Sequence, residues 1–177
     1  MTTRNFMATI LVTGGAGFIG SCYVLAQCAA GDTVINLDKL TYSGNPENVA
    51  SLSGNPRHIF VHGDIGNAEL MEHLLKAYRP NAVVNFAAES HVERSILDPE
   101  ALVCTNILGI CTLLRTAKAW WSELDASKKA AFRFLHVSTD EVFGALQPGD
   151  PAFTETTPYT LSSSSISVEE ERYSKIL

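Results

Sequence analysis

Short apolar runs alternate along this chain with longer stretches whose apolar positions repeat at helical spacing. Ala8 to Thr13 is an apolar, β-branched run ended by glycines, and it predicts a strand. Ile19 to Ala30 has helical periodicity and stops at Gly31, and Thr33 to Leu37 predicts a second strand ending at Asp38. The polar stretch from Tyr42 to Pro56 carries Gly, Asn and Pro, with room for a short helix near Glu47. Ile59 to Val61 reads as a third strand, Ala68 to Tyr78 as a helix ended by Arg79-Pro80, and Ala82 to Phe86 as a fourth strand. Pro99 to Leu124 predicts one long helix, and Phe132 to Ser138 a fifth strand. Strands separated by helices imply an α/β fold, a doubly wound parallel sheet with right-handed crossovers.

Composition narrows the picture. The 177 residues suit one domain, and 46% apolar content is ample for a core. A formal charge of −6 without any Lys/Arg cluster argues against a nucleic-acid surface. Cys22, Cys28, Cys104 and Cys111 form no CxxC pair and have no His at metal-ligand spacing, so they are expected to be buried helical thiols and no metal site is expected. Met1 to Phe6 reads as a leader to the first strand, no run approaches about 18 apolar residues, and a cytoplasmic protein without a membrane partner is expected.

Gly14, Gly17 and Gly20 follow the first strand and open a helix within a βαβ unit, the context a phosphate-binding loop requires. Glycine permits the tight turn, and a helix N-terminus offers unpaired N–H groups to a pyrophosphate. Asp38, at the end of the second strand, is placed to accept from both hydroxyls of a ribose and to repel a 2′-phosphate, which favours NAD over NADP. The adjacent Lys39 weakens that discrimination, because a cation tolerates a phosphate. Asp64-Ile65 follows the third strand, where the aspartate suits either an adenine amino group or a turn or helix cap. Phe86-Ala87-Ala88-Glu89-Ser90 follows the fourth strand, and its small residues let backbone approach a cofactor. His91 and Arg94 suit a charged ligand or ordinary loop positions equally. Ser138-Thr139-Asp140-Glu141 puts a hydroxyl and two carboxylates just past the fifth strand, where α/β enzymes keep their chemistry.

Taken in order, Thr13 to Gly20, Asp38 to Asn45, Ala87 to Ser95, Ser138 to Gly144 and Phe153 to Tyr159 resemble the dTDP-glucose 4,6-dehydratases. These belong to the extended short-chain dehydrogenase/reductase family of nucleotide-sugar metabolism. The resemblance implies a Rossmann-like sheet, NAD as cofactor, dTDP-glucose as substrate and a homodimer. In that family NAD takes a hydride from C4 of the glucose, a glutamate removes the C5 proton, an aspartate protonates the departing C6 hydroxyl, and the hydride returns to C6. Glu141 matches the base, Asp140 the acid, and Thr139 the residue bonding the C4 oxygen. The two carboxylates need opposite protonation states, which their surroundings must supply. By the same resemblance Phe18 and Ile19 lie in the phosphate loop, and Asp38, Lys39, Leu40 and Thr41 contact the adenosine ribose. Asp64 and Ile65 flank the adenine, Phe86, Ala87, Ala88, Glu89 and Ser90 line the cofactor with Ser90 also facing substrate, and Thr105 adds a cofactor contact.

After Thr160 the pattern breaks. The family carries a Tyr-x-x-x-Lys element there, whose tyrosine deprotonates the C4 hydroxyl. Ser165 and Glu169 stand at those two positions, and no tyrosine in the sequence has a lysine four residues later. Tyr173 and Lys175 are two apart, on different faces of a helix. The expected organisation is therefore a partial NAD-binding domain over residues 7–160 and a divergent Ser/Glu-rich tail over 161–177, with the last strands and the substrate domain missing. Two classes of function follow: a 4,6-dehydratase, or an NAD-binding fragment without turnover. Nucleotide-sugar epimerases and other nucleotide-sugar dehydratases are rivals, and the Asp140-Glu141 pair favours dehydration over epimerisation.

Overall fold

The structure, a computed structural model, describes residues 7–90, 99–146 and 148–160. Five strands are described: β1 (Thr9–Thr13), β2 (Thr33–Asp38), β3 (His58–His62), β4 (Ala82–Asn85) and β5 (Arg133–His136). All pair in parallel in the order β3-β2-β1-β4-β5. The order reverses between β1 and β4, the place where open α/β sheets form a crevice at the carboxyl ends of their strands.

Central strands are apolar at nearly every position because both faces are covered. Leu11, Ile35, Leu37 and Val83 face one cluster, completed by α2 (Ala68–Tyr78) and the long helix α3 (residues 99–122) through Met71, Leu75, Ile110, Leu113 and Trp120. Ile10, Val12, Val34 and Val84 face the other, against Val24 and Cys28 of α1 (Phe18–Ala29). This strict alternation fixes the register, since a one-residue slip would exchange the two faces.

The long helix expected over Pro99 to Leu124 is present as α3, residues 99–122, but it is not uniform. It begins as a turn of α-helix at Pro99–Leu102, widens to a π-helix over Val103–Gly109 and continues as α-helix over Ile110–Ser122. By length and composition the stretch Glu100–Ser122 could cross a membrane, with mean hydropathy 1.3, yet its inward stripe belongs to the core. A short helix α4 (Ala126–Ala131) was not expected; Asp125 caps it by accepting from the Lys128 N–H at 3.0 Å. Its polar outer face carries no apolar period to reveal it.

The cysteines require a correction. Cys28 is buried, but Cys22, Cys104 and Cys111 are exposed, and all four are free thiols. The inward stripe of α1 runs through Gly20, Val24 and Cys28, which turns Cys22 outward. Cys104 and Cys111 both leave α3 away from the inward stripe of Leu113, Ala117 and Trp120. At the sheet edge, Leu135 of β5 is 51% exposed, while its neighbour Phe134 packs on the core. The tail positions Ser165, Glu169, Tyr173 and Lys175, and the loop residues His91 and Arg94, lie outside the described residues.

Candidate active site

The crevice is built first from the turn after β1. Gly14 has φ +71°, and a Cβ there would lie 2.6 Å from the Ala87 backbone nitrogen, so the turn and the loop after β4 approach to a distance only glycine allows. A Cβ on Gly20 would overlap the Gly14 carbonyl oxygen, and one on Gly15 would overlap the Asn36 amide oxygen. The Gly15 restriction was not foreseen; its signal, a polar Asn36 in the middle of an apolar strand, was in the sequence. Gly17 precedes α1 and no side chain caps that helix, which leaves its first N–H groups facing the crevice. Phe18, 84% exposed, and Ile19 stand beside them.

A second layer of polar contacts holds this turn. The buried Asp38 carboxylate accepts from the Ala16 N–H and from the Leu40 N–H, both at 2.8 Å. The Ala16 carbonyl in turn accepts from the Asn45 N–H at 3.0 Å and the Asn48 side-chain amide at 2.8 Å. Asp38 is therefore a clamp on the glycine turn as well as a wall of the crevice, and Asn45 and Asn48 were not singled out by sequence. Leu40 has φ +54°, a left-handed conformation uncommon for a non-glycine residue. Of the residues expected at the site, Leu40 alone among those with described side chains lines neither half of the crevice; its N–H serves Asp38 instead.

On the β2–β3 side the crevice is lined by Asp38, Lys39, Thr41, Asp64, Ile65, Ala87 and Thr105. Asp64 Oδ1 accepts from the Gly66 N–H at 2.8 Å, and its Oδ2 lies 2.7 Å from Lys39 Nζ. Burial raises the Asp64 carboxyl, but the Lys39 hydrogen bond, the Gly66 N–H and the Lys39 charge together hold it below its ordinary value. The hydrogen bond to Asp64 raises Lys39 against the opposing effect of burial. The α2 cap is Asn67, which accepts from the Leu70 N–H at 3.1 Å, so Asp64 is a turn residue and ion-pair partner rather than a cap.

On the β4–β5 side a cleft of about 500 Å³ brings Gly17, Phe18, Ile19 and Gly20 together with Ser90, Ser138, Thr139 and Asp140. Phe86, Ala88 and Glu89 line both halves. Asn106, in the π-helical turn of α3, fixes the loop after β4: its Oδ1 accepts from the Glu89 N–H at 2.7 Å and its Nδ2 donates to the Glu89 carbonyl at 2.9 Å. One buried amide thus satisfies both polar groups of a loop residue, and π-helical turns commonly occur at such sites. Sequence reasoning reached Thr105 but not Asn106, because a lone asparagine in an apolar helix carries no spacing signal.

Asp140 opens a 3₁₀ turn, Asp140–Phe143, and Thr139 Oγ1 lies 3.4 Å from Asp140 Oδ1. Glu141 occupies the same turn; its side chain lies outside what the structure describes. The turn is braced from behind by residues 148–160: Phe143 packs on Phe153 and Tyr159 with ring centroids at 5.2 and 5.5 Å, and the Thr160 N–H donates to the Val142 carbonyl at 3.1 Å. Among the described residues no group of three or more His, Cys, Asp or Glu side chains is arranged to hold a metal ion.

The glycine turn, uncapped helix start and acidic strand end together form a cradle of the kind that binds a dinucleotide. The family model described as GDP-mannose 4,6 dehydratase matches residues 11–164. A dTDP-glucose 4,6-dehydratase of Xanthomonas campestris pv. campestris is 55% identical over 158 residues, 89% of this chain and 44% of that protein. A Streptomyces venezuelae dTDP-glucose 4,6-dehydratase crystallised with NAD bound superposes with a TM-score of 0.80 at 39% identity, over 95% of this chain and 50% of that one. Its Bacillus anthracis counterpart in complex with NAD gives 0.76 at 40% identity, over 96% and 49%. The chain spans about half the length of these relatives.

Proposed function

The chain belongs to the GDP-mannose 4,6-dehydratase family, and from that premise we propose that it holds NAD in this crevice and carries the water-eliminating half of a dTDP-glucose 4,6-dehydratase site. The observation that supports this reading most is the shared cleft, in which the glycine turn meets Ser90, Thr139 and Asp140. The residues present fit the cofactor: Gly14 and Gly20 let the backbone of the turn pack as tightly as a phosphate loop requires, and the start of α1 has no competing cap. Gly17, Phe18 and Ile19 would hold the pyrophosphate, Asp38, Lys39 and Thr41 the adenosine ribose, and Asp64 and Ile65 the adenine. Phe86 to Ser90 and Thr105 hold the remainder.

NAD, when bound, supplies a reversible hydride acceptor. The chain's own groups do the acid–base work. Thr139 donates to the C4 oxygen of the sugar, Glu141 takes the proton from C5, and Asp140 gives a proton to the leaving C6 hydroxyl. Positioned proton transfers of this kind are each worth roughly 10²–10⁴-fold. The base that starts hydride transfer in the family is a Tyr-x-x-x-Lys pair, and Ser165 and Glu169 stand in its place. These 177 residues therefore bind NAD and turn over negligibly by themselves. We assign the family's homodimer contact to α3, a reading supported by the exposed Cys104, Leu108 and Cys111. Incubating the purified chain with NAD and dTDP-glucose tests the reading. Saturable NAD binding with product at background is expected. Rapid formation of the 4-keto-6-deoxy sugar would overturn the claim of negligible turnover, and absence of NAD binding would overturn the cofactor assignment.

A further inference from the structure

Lys39 Nζ and Asp64 Oδ2, 2.7 Å apart, bridge the ends of β2 and β3 across the adenosine half of the crevice. That half is lined by three carboxylates, Asp38, Asp64 and Glu89, and Lys39 is its only cation among the described lining residues. Asp38 cannot swing away from an incoming anion, because its two oxygens are tied to the Ala16 and Leu40 N–H groups. Tolerance of a second negative charge beside the ribose therefore depends on Lys39. Its side chain is half-exposed and long enough to serve such a charge, but Asp64 holds it, and Asp64 is itself oriented by the Gly66 N–H.

We propose that Asp64 is a positioning residue for cofactor choice: by engaging Lys39 it keeps the Asp38 end of the crevice net negative, and so excludes a ribose 2′-phosphate. The inference rests on the NAD-binding reading above. Removing the Asp64 charge both releases Lys39 and subtracts one negative charge from the site. A unit charge several ångströms away in partly hydrated surroundings corresponds to about a tenfold change in affinity.

Calorimetric titration of the 177-residue chain with NAD and with NADP at low ionic strength tests it. Asp64→Asn is expected to raise NADP affinity relative to NAD about tenfold, and the gain is expected to shrink as salt is added. Asp64→Glu should keep the wild-type ratio, and adding Lys39→Ala to Asp64→Asn should abolish the gain. If Asp64→Asn weakens both dinucleotides alike and leaves their ratio unmoved, Asp64 is structural only and the inference falls. If the wild-type chain binds no NAD, the cofactor reading falls, and this inference with it.

Discussion

Replacing Gly14 by alanine, with Gly54→Ala as its internal control, isolates the close approach on which the crevice depends. Both glycines have positive φ, +71° and +75°, so both substitutions force an L-residue into left-handed backbone at about 1–2 kcal/mol. They differ in what the new methyl meets. At Gly54 nothing lies within 4 Å, so the conformational cost is the whole cost. At Gly14 the methyl would lie 2.6 Å from Ala87 N, 2.7 Å from Phe86 C and 2.8 Å from Ala87 Cα, all backbone atoms that cannot rotate aside. Overpacking a close-packed site typically adds about 1–3 kcal/mol. Gly14→Ala should therefore cost about 2–5 kcal/mol against about 1–2 for Gly54→Ala, and it should also abolish NAD binding, which Gly54→Ala should spare. Urea unfolding followed by circular dichroism, at equal m-values, reads the first difference, and calorimetry reads the second. Equal losses of stability in the two variants would refute the argument that the loops after β1 and β4 are held at glycine-only distance.

Asp38→Asn leaves one backbone N–H facing an amide that cannot accept it; a loss of about 1.5–3 kcal/mol and weakened NAD binding are expected, measured by the same two assays. Asn106→Ala removes both bonds to the Glu89 backbone, so the Glu89 amide should exchange its hydrogen faster while the core amides of β1 keep their protection. Asn67→Ala removes the α2 cap and should cost about 1 kcal/mol in urea unfolding without changing NAD affinity. Burial holds the His58 imidazole below its ordinary value of 6.5. The unfolded chain therefore binds the proton more readily, and the His58 contribution, intact above pH 6.5, is lost as pH falls below it. Stability measured against pH should show this acid-side loss in the wild type and less of it in His58→Gln.

Much of this architecture was legible because periodicity reports burial. The inward residues of β1, β2 and β4 sit in runs apolar at almost every position, and only a sheet covered on both faces requires that. Gly14, Asp38 and Asp140 were legible for a different reason: each falls at the carboxyl end of a strand, where topology gathers the ends into one crevice. What stayed hidden acts through contacts distant in sequence. Asn106 serves Glu89 seventeen residues away, and Asn48 serves Ala16 thirty-two away; neither spacing belongs to any local motif. The cysteines misled because helical periodicity does not say which face is inward, and a spacing of six turns Cys22 about 120° away from Cys28. The pairing of Lys39 with Asp64 was hidden as well, because it appears only once β2 and β3 lie side by side.

The central claim is that the crevice at the carboxyl ends of β1, β2 and β4 is the NAD site. Backbone amide chemical shifts followed during NAD titration of the isotope-labelled chain test it most directly. Saturable shifts concentrated in Gly14 to Gly20, Asp38 to Thr41 and Phe86 to Ser90 are predicted. Absence of saturable shifts, or shifts confined to the opposite end of the sheet around Trp121, Lys129 and Arg133, would contradict it.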